Sequence, residues 1–402
     1  MRHANRQALM QHALGAEAFT AADAMSATGL TRATVLGVCA ELEQAGWLHE
    51  VSASRDEGIV QRGRPARHYV LREDAAVLIG VDAGQHTLTA RAADLRGREL
   101  AVARHALDGA VGDGEAGERS AAQARTEAVR DLIDEVIEQA GAQGRHRLLT
   151  VVGVPAPVDS AGRSPRGDQG YWPTMNPGFV DALDGRVLIE NDANLAVLAE
   201  HALTGADAID ATTTTDHLAA LLMGERFGAG LIVDGRLLRG AAGGAGEMRF
   251  LDGVLEDSRG ADGIAALARR WTLEALAAGE TSPALAEIPA DQLSAVDVFA
   301  AAQDGDQLAR TVLARLGERL ARIAAILSSL LGVETVVVAG AIAEAIGPVL
   351  EHSRTALPRI ATPPYPELRA SVLGSDVVVR GAIELALAHL RRDPLDLLVA
   401  EI

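Results

Sequence analysis

The chain has 402 residues, 48% hydrophobic and 23% charged, ordinary proportions for a globular protein of two or three domains at roughly 150 residues each; no apolar run reaches the ~18 residues of an ordinary membrane helix. The formal charge of −18 argues against a body that binds polyanions indiscriminately, yet residues 1–72 carry eight Arg against seven acids, so all of the excess acid lies beyond them. A single cysteine, Cys39, excludes an internal disulfide and any thiolate-rich metal centre, and the absence of lysine excludes a P-loop, Schiff-base or kinase-strand lysine.

The N-terminus, Met1 to Gln7, has no signal-peptide core, so a cytoplasmic protein with no membrane partner is expected. Residues 5–14 read as a helix with Ala8, Leu9 and Leu14 on one side. Thr20 is placed to cap Ala21–Ala27, Thr28-Gly29-Leu30 to turn, and Thr31 to cap a helix from Arg32 to about Ala45. Val35, Val38, Cys39 and Leu42 recur at helical spacing and predict its buried face, with Cys39 an inert small hydrophobe. Strands at 47–51 and 68–71 would flank a wing, Ser52 to Arg67. Residues 1–72 therefore predict a winged helix-turn-helix.

In such a head the start of the third helix faces the major groove. That makes Thr31, Arg32 and Thr34 the candidates for DNA contact, Arg32 toward guanine and the hydroxyls toward phosphate or base edges. Thr31 serves equally as a cap alone. The wing holds the one basic cluster of the head, Arg62-Gly63-Arg64-Pro65-Ala66-Arg67. Arg62, Arg64 and Arg67 suit a narrow minor groove, and the alternative is a solvated turn.

Past Arg72-Glu73-Asp74 the pattern turns to α/β. Strands are predicted at 76–82, 88–94, 148–154, 187–192, 218–223, 230–233, 334–338 and 368–373. Helices are predicted at 119–140, 193–202, 261–278, 291–303, 306–331, 342–352 and 378–391. Strand-turn-strand followed by βα units occurs twice, which suggests two related lobes around a cleft.

Several motifs in order resemble the ROK family (repressor, open reading frame, kinase). They are Gly153-Val154-Pro155 with Val158-Asp159, Asn176-Pro177-Gly178, Glu190-Asn191-Asp192-Ala193-Asn194, and Gly228-Ala229-Gly230 running through Asp234-Gly235-Arg236-Leu237 to Gly246-Glu247. The resemblance covers essentially the whole chain. It implies an actin-like, ribonuclease-H-like two-lobed body over 76–402, the second lobe about 193–375, behind a DNA-binding head as in the family's regulators. It also implies that Asp192 corresponds to the kinases' general base, that Asn176 and Asn191 bond sugar hydroxyls, and that Glu247 contacts the sugar. Spacing alone lets Asp192 be a helix-capping residue instead.

The nucleotide half departs from the family. Asp82-Ala83-Gly84-Gln85-His86-Thr87 puts Gln and His where a bare phosphate loop is expected. Gly224-Glu225-Arg226-Phe227-Gly228 puts an acid beside the second, and Ala339-Gly340-Ala341 replaces three glycines. ATP binding, enzyme activity and any cofactor are therefore not expected. The family's zinc-binding Cys and His elements are missing, so no metal is expected. Arg249 stands in place of a sugar-binding His, either as a structural ion-pair partner or as a selector of an anionic ligand. The expected protein is a sugar-responsive repressor, a homodimer or homotetramer on operator DNA. The rivals are a sugar kinase with a DNA-binding head and a ligand-free DNA-binding scaffold.

Overall fold

The structure, a computed structural model, describes residues 2–51, 67–107, 114–166, 171–206, 215–247 and 262–398. The chain opens with α1 (Arg2–Gly15), β1 (Phe19–Thr20), α2 (Ala21–Thr28), α3 (Arg32–Gln44), β2 (Leu48–Val51) and β3 (His68–Leu71). The capping residues fall where the sequence puts them. Thr20 and Asp23 form a reciprocal capping box, Gly29 closes α2 at φ 68°, and the Thr31 hydroxyl accepts from the Thr34 amide. In α1 the buried side is Leu9, Met10, Ala13 and Leu14, and the predicted Ala8 is only half-buried. The predicted face of α3 is buried in full. Most of the predicted wing, residues 52–66, lies outside the described residues.

The body follows with β4 (Ala76–Ala83), β5 (Thr87–Ala93), β6 (Glu99–Ala106), α4 (Gly114–Gln139), β7 (His146–Val154), α5 (Tyr171–Met175), α6 (Phe179–Ala182), β8 (Val187–Asn191) and α7 (Asp192–Ala206). Then come β9 (Leu218–Leu222), β10 (Gly228–Val233), β11 (Arg236–Leu237), α8 (Ile264–Ala277), α9 (Ala295–Gln303), α10 (Gln307–Leu331) and β12 (Thr335–Ala339). The chain ends with α11 (Gly347–Ile360), β13 (Glu367–Ala370), α12 (Val377–Arg392) and α13 (Pro394–Leu398).

Two five-stranded sheets, ordered β6-β5-β4-β7-β8 and β11-β10-β9-β12-β13, share one plan. Each has an antiparallel meander whose first strand pairs in parallel with the next strand, which in turn pairs in parallel with the last. This is the mixed α/β, actin-like body expected from the sequence. β6 was absent from the sequence reading because its burial alternates weakly at a sheet edge. The helix predicted over 342–352 is split. Ala341–Glu344 is one 3₁₀ turn, and α11 starts anew at Gly347-Pro348, since Pro fits a first helical turn and cannot donate to a preceding one. The last predicted strand stops at Ala370.

Helices α7 and α12 cross between the sheets. Glycine is obligatory at the crossings: a Cβ on Gly381 would lie 1.9 Å from the Leu195 carbonyl, and one on Gly230 would lie 1.9 Å from that of Ala193. One continuous core runs from Leu9, Cys39 and Leu48 of the head into Leu78, Leu149, Ala386 and Leu390 of the body. Arg96 stitches the two together. Its guanidinium donates to the carbonyls of Leu14 (3.1 Å) and Ala16 (2.7 Å), and its Nε to Glu73 (2.6 Å).

Candidate functional site

The β8–α7 junction sets the floor of the cleft. Asn191 ends β8, and its Oδ1 accepts from the Asn194 amide at 3.1 Å, while its Nδ2 donates to the Ala156 carbonyl at 3.1 Å. Asn191 thus contributes to the helix cap that spacing offered Asp192 as an alternative role. Asp192 Oδ1 accepts from the Ala193 amide at 2.7 Å. A small cavity of about 60 Å³ opens above, walled by Pro155, Trp172, Asn191, Asp192, Arg226 and Glu247 among others. The structure therefore brings Asn191, Asp192 and Glu247 together.

Asn176 stands apart. Its Nδ2 donates to the Gly162 carbonyl (3.1 Å) and the Ser164 hydroxyl (3.0 Å), and its buried Oδ1 has no hydrogen-bond partner among the described residues. Arg249 lies outside the described residues.

Two carboxylates dominate the electrostatics. Burial pushes Asp192 up to about 8, and the negative charges of Asp82 and Glu247 add to this against the Ala193 amide. Burial likewise pushes Asp82 up to about 7, with Arg125 opposing and Asp376 reinforcing. Carboxyls raised this far are partly protonated near neutral pH, so the site can donate as well as accept hydrogen bonds.

The sequence assigns no role to two residues that the site depends on. Arg125 is buried beside Asp82, donates to the Ala83 carbonyl and, at 3.2 Å, to that of Met175, and burial lowers its own pKa to about 10. Glu190 is buried and accepts from the Asn191 amide (3.0 Å), Asn194 Nδ2 (2.9 Å) and Arg239 Nε (2.8 Å). That last bond joins the edge of the first sheet to the β11 hairpin of the second. The Glu190-Asn191-Asp192-Ala193-Asn194 run was itself the one available sign of Glu190; Arg125 sits in a long helix with no local sign at all.

The head presents a separate face. Arg32 is exposed at the start of α3, beside Thr31 and Thr34, whose hydroxyls lie 2.9 Å apart. Leu36, one turn on, is also exposed. Arg67 pairs with Glu50 of the neighbouring strand at 3.0 Å. Arg62 and Arg64 lie outside the described residues. Among those described, no cluster of metal-binding side chains occurs, and no helix is long and apolar enough to cross a membrane.

Residues 78–389 match the ROK family, and the chain belongs to that family. Its similarity reaches both regulators and kinases. The DNA-binding transcriptional dual regulator NagC of Escherichia coli K12 is 27% identical over 337 residues, 79% of this chain and 75% of that protein. A glucokinase of Halalkalibacterium halodurans is 29% identical over 214 residues, 48% of this chain and 62% of the enzyme. Among solved structures, a ROK family transcriptional regulator homologous to the E. coli MLC protein superposes with a TM-score of 0.71 at 20% identity, covering 98% of this chain and 99% of that one. A ROK family glucokinase from Streptomyces griseus, in complex with glucose and AMPPNP, gives 0.58 at 24% identity and covers 77% of this chain and 99% of the enzyme.

Proposed function

We propose that the chain is a DNA-binding transcriptional regulator, acting as a repressor, whose ROK body binds a sugar or sugar-derived ligand and has given up phosphoryl transfer. The observation that carries this reading is the extra N-terminal unit. The regulator fold spans 98% of the chain and the glucokinase fold 77%, and the head shares one core with the body. In this reading residues 1–72 are a winged helix-turn-helix and residues 76–402 the ligand-binding and oligomerising body. Thr31, Arg32 and Thr34 meet the major groove, and the wing with Arg62, Arg64 and Arg67 meets the minor groove. Releasing Arg67 to DNA then means exchanging Glu50 for a phosphate.

The ligand lies over Asn191, Asp192 and Glu247, and Asn176 and Arg249 are kept as further candidate contacts on the sequence resemblance alone. Two heads of a cytoplasmic homodimer or homotetramer bind operator half-sites, and closure of the lobes changes their spacing. Glucose and N-acetylglucosamine are the probes to try first, since relatives are a glucokinase bound to glucose and the N-acetylglucosamine repressor. The test is genomic footprinting of the purified protein with and without each sugar. Specific footprints whose occupancy changes with one sugar are expected; no duplex bound at low ionic strength sinks the reading.

A second reading, a sugar kinase that also binds DNA, draws on Asp192, whose raised pKa suits a general base. A coupled ADP-release assay across a panel of hexoses separates the two, and turnover would favour the kinase.

A further inference from the structure

Segments from the two lobes meet at Arg226, which lines the cavity. In the first lobe, Gln85 sits in the β4–β5 turn and Tyr171 opens α5; the Tyr171 hydroxyl donates to Gln85 Oε1 at 3.3 Å. In the second lobe, Arg226 sits in the β9–β10 turn, walls the cavity, and holds its guanidinium 3.8 Å above the centre of the Tyr171 ring. A second approach runs alongside. Arg269 grips Glu225 through two bonds, 2.9 and 2.8 Å, and holds its carboxyl below the usual range, and His86 from the opposite turn adds to that effect.

The second-lobe turn has a stiff base. The amides of Gly263, Ile264 and Ala265 donate to the carbonyls of Glu225, Met223 and Gly224 at 3.0, 2.8 and 3.0 Å. A Cβ on Gly263 would lie 2.1 Å from the Gly224 oxygen, so the packing leaves no slack there. Arg226 is thus projected across the cleft from a fixed platform.

We propose that Gln85, Tyr171 and Arg226 form an interlobe clasp that holds the two lobes together over the cavity without a nucleotide. Gln85 and Arg226, which break the first and second expected phosphate loops, are then parts of one device, joined through Tyr171. The clasp rests on the ligand reading above only for its effect on affinity, not for its existence. A cation over an aromatic ring at a partly exposed site holds a contact closed about two- to fivefold, and more where water is excluded. The Tyr171 hydroxyl adds the link to Gln85. A ligand beneath the clasp would be shielded from solvent, and opening it would quicken both entry and loss.

The test is hydrogen exchange on the full ligand-free chain, comparing the wild type with Tyr171→Leu, Tyr171→Phe and Arg226→Ala. Tyr171→Leu is expected to speed exchange of both turns, 84–88 and 224–228, about three- to tenfold while the strands β4 and β9 stay protected. Arg226→Ala is expected to speed 84–88, on the far side of the cleft. Tyr171→Phe keeps the ring and guards against a variant that does not fold; it should loosen 84–88 alone. If Arg226→Ala leaves 84–88 at its wild-type rate, the clasp is overturned. Thermal shifts with glucose and N-acetylglucosamine complete the design. Coupled exchange without any sugar binding leaves the clasp standing and fails the ligand reading; sugar binding with uncoupled exchange does the reverse.

Discussion

Burial gives the Asp82–Asp192 pair its distinct chemistry. An aspartate raised from 3.8 to about 8 keeps its proton when folded, whereas the unfolded chain ionises it near pH 4. The folded state then binds the extra proton, so this contribution to stability is complete below about pH 4 and is lost as pH rises toward 8. Asp192→Asn, which mimics the protonated form, should match the wild type near pH 4 and melt increasingly higher above it. The wild type should fall behind by at most about 1.4 kcal/mol per pH unit, read from urea unfolding at several pH values. Parallel curves would show that Asp192 is ionised throughout. The Asp192 position was legible in its motif, but its protonation was not, because Asp82 and Glu247 arrive from distant segments. Arg125 was illegible for the same reason: its partners are carbonyls 42 and 50 positions away in the chain.

At the level of elements, capping and recognition separate cleanly on α3. Thr31→Ala removes the hydroxyl that accepts from the Thr34 amide and should cost about 1 kcal/mol of stability, read by thermal unfolding. Arg32→Ala, at an exposed site, should leave the melting temperature unchanged and cost about 1–3 kcal/mol of operator discrimination, read by competition binding against mismatched duplexes. A melting shift with Arg32→Ala would recast Arg32 as structural. The α7 crossing offers a sharper case. Gly230→Ala drives a Cβ into the Ala193 carbonyl, backbone against backbone, and should cost about 3 kcal/mol or abolish folding. Glycines 228 and 230 were legible as a motif; the reason for Gly230, a helix pressed to the strand, was not. The break before α11 was written in Gly347-Pro348, although the apolar spacing across it concealed the stop.

Across the whole molecule, side-chain hydrogen bonds among the described residues add two fastenings of the head to the shared core. Arg96 ties it to the first sheet, and the amides of Gln7 (3.4 Å) and Gln11 (3.0 Å) reach the Arg392 carbonyl at the end of α12. Helix α12 also packs on α7, which begins at the cavity. Arg96→Ala should cost about 2–3 kcal/mol, because three charge-assisted bonds go at once, and should expose the 72–76 connection to protease while the body stays folded. A body and head that still unfold together would show that the shared core alone couples them.

Local chemistry fixed what the sequence could tell by itself. Threonine and glycine at helix ends, period-two apolar runs and the ordered family motifs determined most of the helices, the two-lobed plan and the region of the cavity, since each depends on neighbours a few residues away. Only the tertiary structure decided which side chains meet. Residues from α5, β8, α7, the β9–β10 turn and the segment at Glu247 gather at one place because two sheets of the same topology face each other across crossed helices. The raised pKa values of Asp82 and Asp192, the Glu190–Arg239 bond and the Arg226–Tyr171 stack all follow from that long-range approach, which no local spacing encodes.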